Sequence, residues 1–413
     1  MAATFLARGV SDLCLGKPPL RSLSISATVT DALAALKRSG DNCVSVWSCN
    51  NGHGLSPEGD GVDECCCVGK VCMADIICFL CEEEKLSNPA TALQAPLSVF
   101  IRKTGEVIIR HLEPNASVVE AIDLILEGAQ NLVIPLENKG RNSRKKLLQS
   151  SLWNSDFHNN RQYCWLTQED IVRFLVNAIG HFSHIAVNPI NSLGVINFYN
   201  IPTVHYDDPA SSALPSISQS LEMQTSVAIV DGDGRLVGEI SPFTLDSCGE
   251  DVAEAIATLS AGDLMAYIDC GKPPEDLVQL VKERLRERNL VKALELMEED
   301  SGISSDEEEE LRVGGMRNGR SGGKVERRSE TNVCRPWSSL VAVMIQAVSH
   351  RASYVWVVEE LEDRTLAGIV TFAGMLKVFR ETNHEDHALV RVAFKKSLIK
   401  ERNENQAESN QLK

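Results

Sequence analysis

One pattern of helices and strands recurs four times along this 413-residue chain. Each copy has an opening helix, a β-branched strand, a turn, a second short strand, and a helix that follows that strand directly. The opening helices are predicted at residues 27–40, 115–128, 208–221 and 335–349. Four such units in one order predict a tandem repeat of a small β-α-β-β-α module.

The strands of each copy repeat as regularly as the helices. From the helix alanine to the strand valine the steps are 12, 12, 14 and 13 residues. The second strands, at 68–73, 163–167, 236–241 and 366–371, are almost continuously apolar. A continuous apolar run of this length indicates a strand that is buried on both faces.

The repeat predicts an α/β (α+β) protein of four modules. Their predicted bounds are 1–88 with a loop insert at 50–63, 89–184 with a loop insert at 139–161, 185–250, and 251–384 with an insert at 271–333. The first half of that last insert has helical spacing of apolar residues. Its second half is too polar to bury a core and is expected to be disordered. Residues 385–413 are expected to be a flexible tail.

The charge balance limits the kinds of partner. The formal net charge is −16, which argues against nucleic acid and against anionic membrane surfaces. No apolar run is long enough to cross a bilayer. The first residues lack a signal-peptide core, and a plastid transit peptide would be longer and richer in Ser and Arg. We therefore expect a protein of the cytoplasm or nucleus.

A short motif at the last strand-to-helix junction resembles the cystathionine-β-synthase (CBS) domain family. The motif reads Gly-apolar-apolar-[Ser/Thr]-x-x-Asp, and residues 10–37 resemble plant four-module members in particular. The resemblance covers most of residues 11–382 apart from the inserts. It implies that the modules form two pseudo-two-fold pairs through their sheets. It also implies that adenosine nucleotides or related adenosyl ligands lie in clefts between paired modules; no reaction is implied.

The chemistry of this junction explains why such a ligand would bind there. The first amides of a helix attract phosphate, a hydroxyl can donate to a phosphate oxygen, and a carboxylate three residues on can accept from ribose hydroxyls. The corresponding pairs are Thr167 and Asp170, Cys72 and Asp75, Ser241 and Thr244, and Thr371 and Gly374. We predict ligand contacts at Thr167, Asp170, Asp75 and Cys72, and a weaker site at Ser241, Thr244 and Thr371. The alternative is that these residues merely cap their own helices.

The thirteen cysteines are expected to be reduced thiols. Zinc binding by Cys43, Cys49, His53 and residues 65–67 is disfavoured, because three adjacent cysteines cannot all face one tetrahedral metal ion. Cys78 and Cys81 spell C-x-x-C inside a helix, not at the turn that a redox motif needs. No nucleophile and base can be paired either. Neither a metal, a cofactor nor an enzymatic activity is predicted.

We interpret the chain as a regulatory sensor that binds AMP, ATP or S-adenosylmethionine and modulates a partner protein. A rival interpretation is a ligand-free scaffold that resembles a kinase γ subunit and holds a kinase or another enzyme. A redox protein that uses the cysteine cluster is the third class. Ser304 and Ser305, before an acidic run, are either a site for an acidophilic kinase or part of a solvated charge run.

Overall fold

A computed structural model describes residues 2–39, 42–49, 65–101, 109–136, 158, 161–246, 248–249, 252–269, 273–303 and 331–382. Several sequence predictions lie outside these residues: the loop insert at 50–63, nearly all of the insert at 139–161, the tail, His53, and the Ser304–Ser305 site.

Thirteen strands and sixteen α-helices occupy the described part of the chain. The strands are β1 Ser22–Ser24, β2 Cys43–Cys49, β3 Cys65–Cys72, β4 Ile109–His111, β5 Asn131–Pro135, β6 Tyr163–Thr167, β7 Ile196–Asn197, β8 Thr203–His205, β9 Val227–Val230, β10 Leu236–Ile240, β11 Val333–Cys334, β12 Tyr354–Val358 and β13 Leu366–Thr371. The helices are α1 Ala2–Leu6, α2 Val29–Ser39, α3 Met73–Leu80, α4 Glu83–Leu86, α5 Pro89–Leu93, α6 Val118–Leu126, α7 Gln168–Asn177, α8 Ser183–Ala186, α9 Leu214–Met223, α10 Pro242–Asp246, α11 Val252–Thr258, α12 Ala261–Asp269, α13 Glu275–Glu287, α14 Val291–Ile303, α15 Leu340–His350 and α16 at 372–382.

The strands form four sheets of the same design. In each sheet a first strand lies parallel to a second, which pairs antiparallel with a third: β1-β2-β3, β4-β5-β6, β8-β9-β10 and β11-β12-β13. One helix lies in sequence between the two parallel strands, as a parallel connection requires. The predicted four-module α/β fold is thus confirmed, while the exact module boundaries stay predictions.

Local sequence accounts for the start and end of the predicted helices. In α6 the Ser117 hydroxyl accepts from the Glu120 amide at 3.2 Å, which satisfies one unpaired amide of the first turn. The chain leaves this helix through Gly128, whose φ of +108° suits glycine. The apolar residues Ala121 and Ile122, at helical spacing, are fully buried.

The four modules close into one ring with two kinds of contact. The sheets of modules 1 and 2 share a core that includes Trp47 and Val133, and those of modules 3 and 4 share one that includes Ala228 and Trp356. The helices of module 1 share a core with those of module 3, and the helices of module 2 share one with those of module 4. The expected pairing of modules through their sheets is confirmed, and the helices join the two pairs.

Two segments depart from the simple repeat. The closing helix of module 3 is divided into α10 and α11, whereas the sequence predicts one helix. The first half of the 271–333 insert is helical, as predicted. It forms α13 and α14, which join the core shared by modules 1 and 3. Arg288 fastens this insert by donating to the Ala257 carbonyl at 2.7 Å. No helix in the described ranges is long and apolar enough to span a membrane.

The glycine of the junction motif lets another segment pack directly on the third strand. A Cβ at Gly368 would lie 2.6 Å from Ile196 Cγ2 and 2.9 Å from the Asn197 carbonyl oxygen. Both residues belong to β7, which pairs with β13. The backbone oxygen cannot move without disturbing that pairing.

We expect Gly368→Ala to lower the free energy of unfolding by about 1–3 kcal/mol, the usual cost of overpacking. Gly232→Ala is the matched control, because nothing lies within 4 Å of a Cβ there. Chemical denaturation of both variants measures the difference. Equal stability of the two variants would contradict the packing role of Gly368.

Candidate functional site

Residues from all four modules line one cavity of about 850 Å³. This volume lies within the range of about 300–1,000 Å³ that is typical of small-molecule sites. The polar residues that line it include Lys70, Cys72, Asp75, Thr167, Ser241, Thr244, Asp246, His350 and Arg351. Asp170 and Thr371 are not among the lining residues.

The junction of module 1 places Asp75 and Cys72 at the cavity wall. Asp75 Oδ2 accepts from the Cys72 amide at 2.9 Å and so caps α3. Burial, and then the Asp75 charge, raise the pKa of the Cys72 thiol well above its ordinary value. The thiol is therefore protonated at neutral pH, where it is a weak donor and its sulfur is a weak acceptor.

The junction of module 2 is held differently. Thr167 lines the cavity, and its amide and hydroxyl both donate to Asp170 Oδ2 at 2.7 Å. Lys17, from the N-terminal segment, forms an ion pair with the same carboxylate and donates to the Trp165 carbonyl at 2.7 Å. Asp170 Oδ2 is thus already engaged by Thr167 and Lys17, and the role of Asp170 in ligand binding stays a prediction.

The junctions of modules 3 and 4 lack the carboxylate three residues on, as the sequence indicates. In module 3 the Ser241 amide donates to Thr244 Oγ1 at 3.1 Å, and the Thr244 amide donates to Ser241 Oγ at 3.0 Å. Both residues line the cavity. In module 4 the Thr371 hydroxyl accepts from the Gly374 amide at 3.1 Å. Every junction motif is therefore a helix cap, whether or not it also meets a ligand.

Asp246 is a lining residue that sequence reasoning missed. It belongs to module 3, yet its carboxylate bonds to the Met73 and Ala74 amides at the start of α3 in module 1. Burial, and then the charge of Asp75, raise the pKa of Asp246 to about 7. Its other oxygen, Oδ1, is buried without a hydrogen-bond partner in the described part of the chain. Asp246 lies two residues after the motif, where the pattern gives no reason to look.

The cavity also carries three basic side chains that the motif does not include. Lys70 lies two residues before Cys72 and donates to Asn131 of module 2 at 3.0 Å. His350 is the last residue of α15, and Arg351 follows it with a φ of +53°. The sequence signal that could have located His350 and Arg351 is the end of the predicted helix. No glycine follows that helix, so a polar residue has to adopt the left-handed conformation that ends it.

An apolar wall adjoins these polar groups. The rings of Phe79 and Phe100 lie with centroids 5.1 Å apart, and Val99 is 49% exposed. Ile101 packs over Gly69, where any side chain would clash with it. Aromatic and aliphatic side chains of this kind can hold the flat face of a base.

Comparisons with known proteins agree with this architecture. The Arabidopsis thaliana "CBS domain-containing protein CBSX5" is 45% identical over 401 residues, covering 94% of this chain and all of that protein. The Arabidopsis thaliana "SNF1-related protein kinase regulatory subunit gamma-like PV42b" is 23% identical over 261 residues, 58% of this chain and 70% of that protein. No family model matches.

Among solved structures, a Methanocaldococcus jannaschii protein described as a candidate archaeal homologue of γ-AMPK superposes with a TM-score of 0.51. The superposition covers 90% of this chain and 99% of that one at 15% identity, which supports the fold. The repeated β-α-β-β-α sheets and the similarity to CBSX5 over nearly the whole chain lead to one conclusion: the chain belongs to the CBS domain-containing proteins.

Proposed function

We propose that this protein is a non-catalytic sensor that binds an adenosyl ligand in the cavity shared by its four modules and so modulates a partner protein. One observation carries the proposal: a single cavity combines an apolar wall, hydroxyl and carboxylate groups at three helix starts, and basic side chains. The base would lie against Phe100 and Val99. Asp75 would accept from the ribose, and Lys70 would face a phosphate.

The charge of the cavity favours ligands with few negative charges. Six carboxylates line it, namely Asp75, Glu82, Glu169, Glu222, Glu239 and Asp246, against the basic Lys70, His350 and Arg351. Three of them are already engaged: Glu82 and Glu169 form ion pairs with Lys85 and Arg173, and Glu239 accepts from the Tyr354 hydroxyl at 2.8 Å. Like charges in a partly desolvated site repel strongly. We therefore expect AMP and S-adenosylmethionine to bind more tightly than ATP.

A ligand in this position would act on the relative placement of the modules. The cavity walls belong to both sheet-paired units, so a bound ligand adds contacts that link the two units. Such a ligand shifts the ring toward the arrangement that it fits best, and a partner that contacts both units would sense the shift. The protein is proposed to act in the cytosol or nucleus.

The first prediction from this proposal concerns Asp75. We expect Asp75→Asn to weaken AMP binding about 10- to 100-fold, because hydrogen bonds to a charged group contribute about 1.5–3 kcal/mol. Asp31→Asn is the matched control. Asp31 Oδ2 accepts from the Thr28 amide at 2.9 Å and caps α2 in the same way, but Asp31 does not line the cavity.

Isothermal calorimetry and thermal shift with AMP, ATP and S-adenosylmethionine test this expectation. Equal affinities of the two variants would contradict a ligand contact at Asp75. If the wild-type chain gives neither heat nor a melting shift with any of the three, the sensor proposal fails. The scaffold hypothesis would then be preferred, and affinity purification for a co-eluting kinase or other enzyme would test it.

The second prediction separates the phosphate contact from the rest of the site. We expect Lys70→Met to weaken AMP binding about 10-fold or more, since it removes a charged donor, and to leave adenosine binding unchanged. Lys37→Met is the control, because Lys37 does not line the cavity. Competition titrations give both affinities. An equal loss of affinity for adenosine and for AMP would mean that Lys70 stabilises the cavity wall and does not contact the phosphate.

The third prediction follows from the raised pKa of Asp246, which is about 7. Above that pH its ionised carboxylate adds a negative charge beside Asp75, so AMP should bind more weakly as pH rises from 6 to 8. Lys70 and the α3 amides face the same carboxylate and oppose part of this effect. In Asp246→Asn the affinity for AMP should change less between pH 6 and 8. The titration of AMP itself contributes equally in both proteins and is subtracted. A parallel pH profile for the two proteins would contradict this role.

A further inference from the structure

Two strand cysteines and one histidine meet at the end of the β2–β3 hairpin. Cys49 and Cys65 face each other across the hairpin and are joined by a disulfide, contrary to the expectation of reduced thiols throughout. His158 Nδ1 lies 3.5 Å from the Cys49 sulfur and 3.0 Å from the Cys65 sulfur. None of the three lines the central cavity, so this cluster is independent of the proposed ligand site.

The surroundings hold the imidazole in place. The ring of His158 stacks on Trp47 with centroids 3.6 Å apart and planes 1° apart. Trp47 itself is buried and donates to Ser45 Oγ at 2.9 Å. The backbone of His158 exchanges two hydrogen bonds of 2.9 Å with Arg161. The position of Nδ1 is thus fixed by contacts that do not involve the sulfurs.

A purely structural role does not explain a histidine here. The side chain is only 5% exposed, and Nε2 is buried without a hydrogen-bond partner among the described residues. Buried polar atoms usually have partners, because an unpaired one is costly. An apolar ring would stack on Trp47 at lower cost. What histidine adds is a nitrogen that faces two sulfurs.

We propose that the reduced pair Cys49 and Cys65 binds a Zn²⁺-class metal ion together with His158. With bond lengths of about 2.3 Å to sulfur and 2.0–2.1 Å to nitrogen, a tetrahedral Zn²⁺ site places sulfur and nitrogen about 3.5 Å apart. The two nitrogen-to-sulfur distances are already close to that value. Cys49 is exposed, which gives the ion a path to the site.

The two states of the cluster exclude one another. A thiol reductant breaks the Cys49–Cys65 bond: two electrons reduce the cystine to two thiols, and the reductant is oxidised to its own disulfide. Each thiol then releases a proton as its sulfur binds Zn²⁺. His158 binds as the neutral imidazole through Nδ1 and keeps its proton on Nε2. Three protein ligands leave a fourth position for water or an external donor.

The neighbouring cysteines do not belong to this site. Side chains alternate along β3, so Cys66 projects to the opposite face and is exposed. Cys67 is buried and donates to the Gly69 carbonyl at 3.4 Å. The sequence argument that three adjacent cysteines cannot share one metal ion therefore agrees with the strand geometry. It missed His158, which follows Cys65 by 93 residues.

Co²⁺ titration of the full chain tests the proposal, with Co²⁺ as a spectroscopic substitute for Zn²⁺. The protein is reduced with a phosphine, desalted without oxygen and titrated. We expect the thiolate charge-transfer and tetrahedral ligand-field absorption of about one bound Co²⁺, which Zn²⁺ then displaces. Oxidised protein should show neither band. No Co²⁺ or Zn²⁺ binding by reduced, folded protein would overturn the proposal and leave the pair as a disulfide alone.

Matched variants assign the ligands. Cys65→Ser and His158→Gln should lose the spectrum, and Cys66→Ser, one residue away on the other face, should retain it. Binding that survives in Cys65→Ser and His158→Gln would overturn the assignment, because other residues would then hold the ion. Circular dichroism melting verifies that each variant is folded. Should His158→Gln fail that test, Cys49→Ser against Cys66→Ser decides the question.

Discussion

Burial of each small sheet on both faces is the constraint on which the rest of the structure depends. A three-stranded sheet of this design has helices of its own module on one face and nothing of its own on the other. All five residues of β12 are buried, and so are the first four of β5. A second sheet must therefore cover the open face, and modules 1 and 2, like modules 3 and 4, do this for each other. Pairing is a consequence of the apolar strands that the sequence already displays.

The helix layers add a second constraint that the repeat alone does not reveal. Helix α3 of module 1 packs against α9 and α10 of module 3 and against α11, which continues the closing helix of that module. Helix α7 of module 2 packs against α15 of module 4. Arg380 of α16 donates to Asp123 of α6 at 2.8 Å, which ties modules 4 and 2 further. These contacts bring the junctions of both pairs toward one centre. One cavity lined by four modules results, where pairing alone implies separate clefts.

How well the sequence predicts a contact depends on how far apart its two residues lie along the chain. Helix caps such as Thr167 with Asp170 act over three residues, and the motif located them correctly. The Lys17–Asp170 ion pair spans 153 residues and the Cys65–His158 contact spans 93. No local pattern records such contacts, since they exist only once the modules are packed. The same is true of Asp246, which depends on the contact of α10 with α3.

The caps also explain why the junction carboxylates are ambiguous in sequence. A carboxylate that caps its helix is already held at a fixed point, because it accepts a hydrogen bond from the backbone amide three residues earlier. That fixed position lowers the entropic cost of a second contact, so the same group is well placed to receive a ribose. At Asp170 this second contact is the ion pair with Lys17, whereas the charged neighbour of Asp75 is Asp246. One local motif can thus support different chemistry in each module, because the residues that decide the outcome come from another part of the chain.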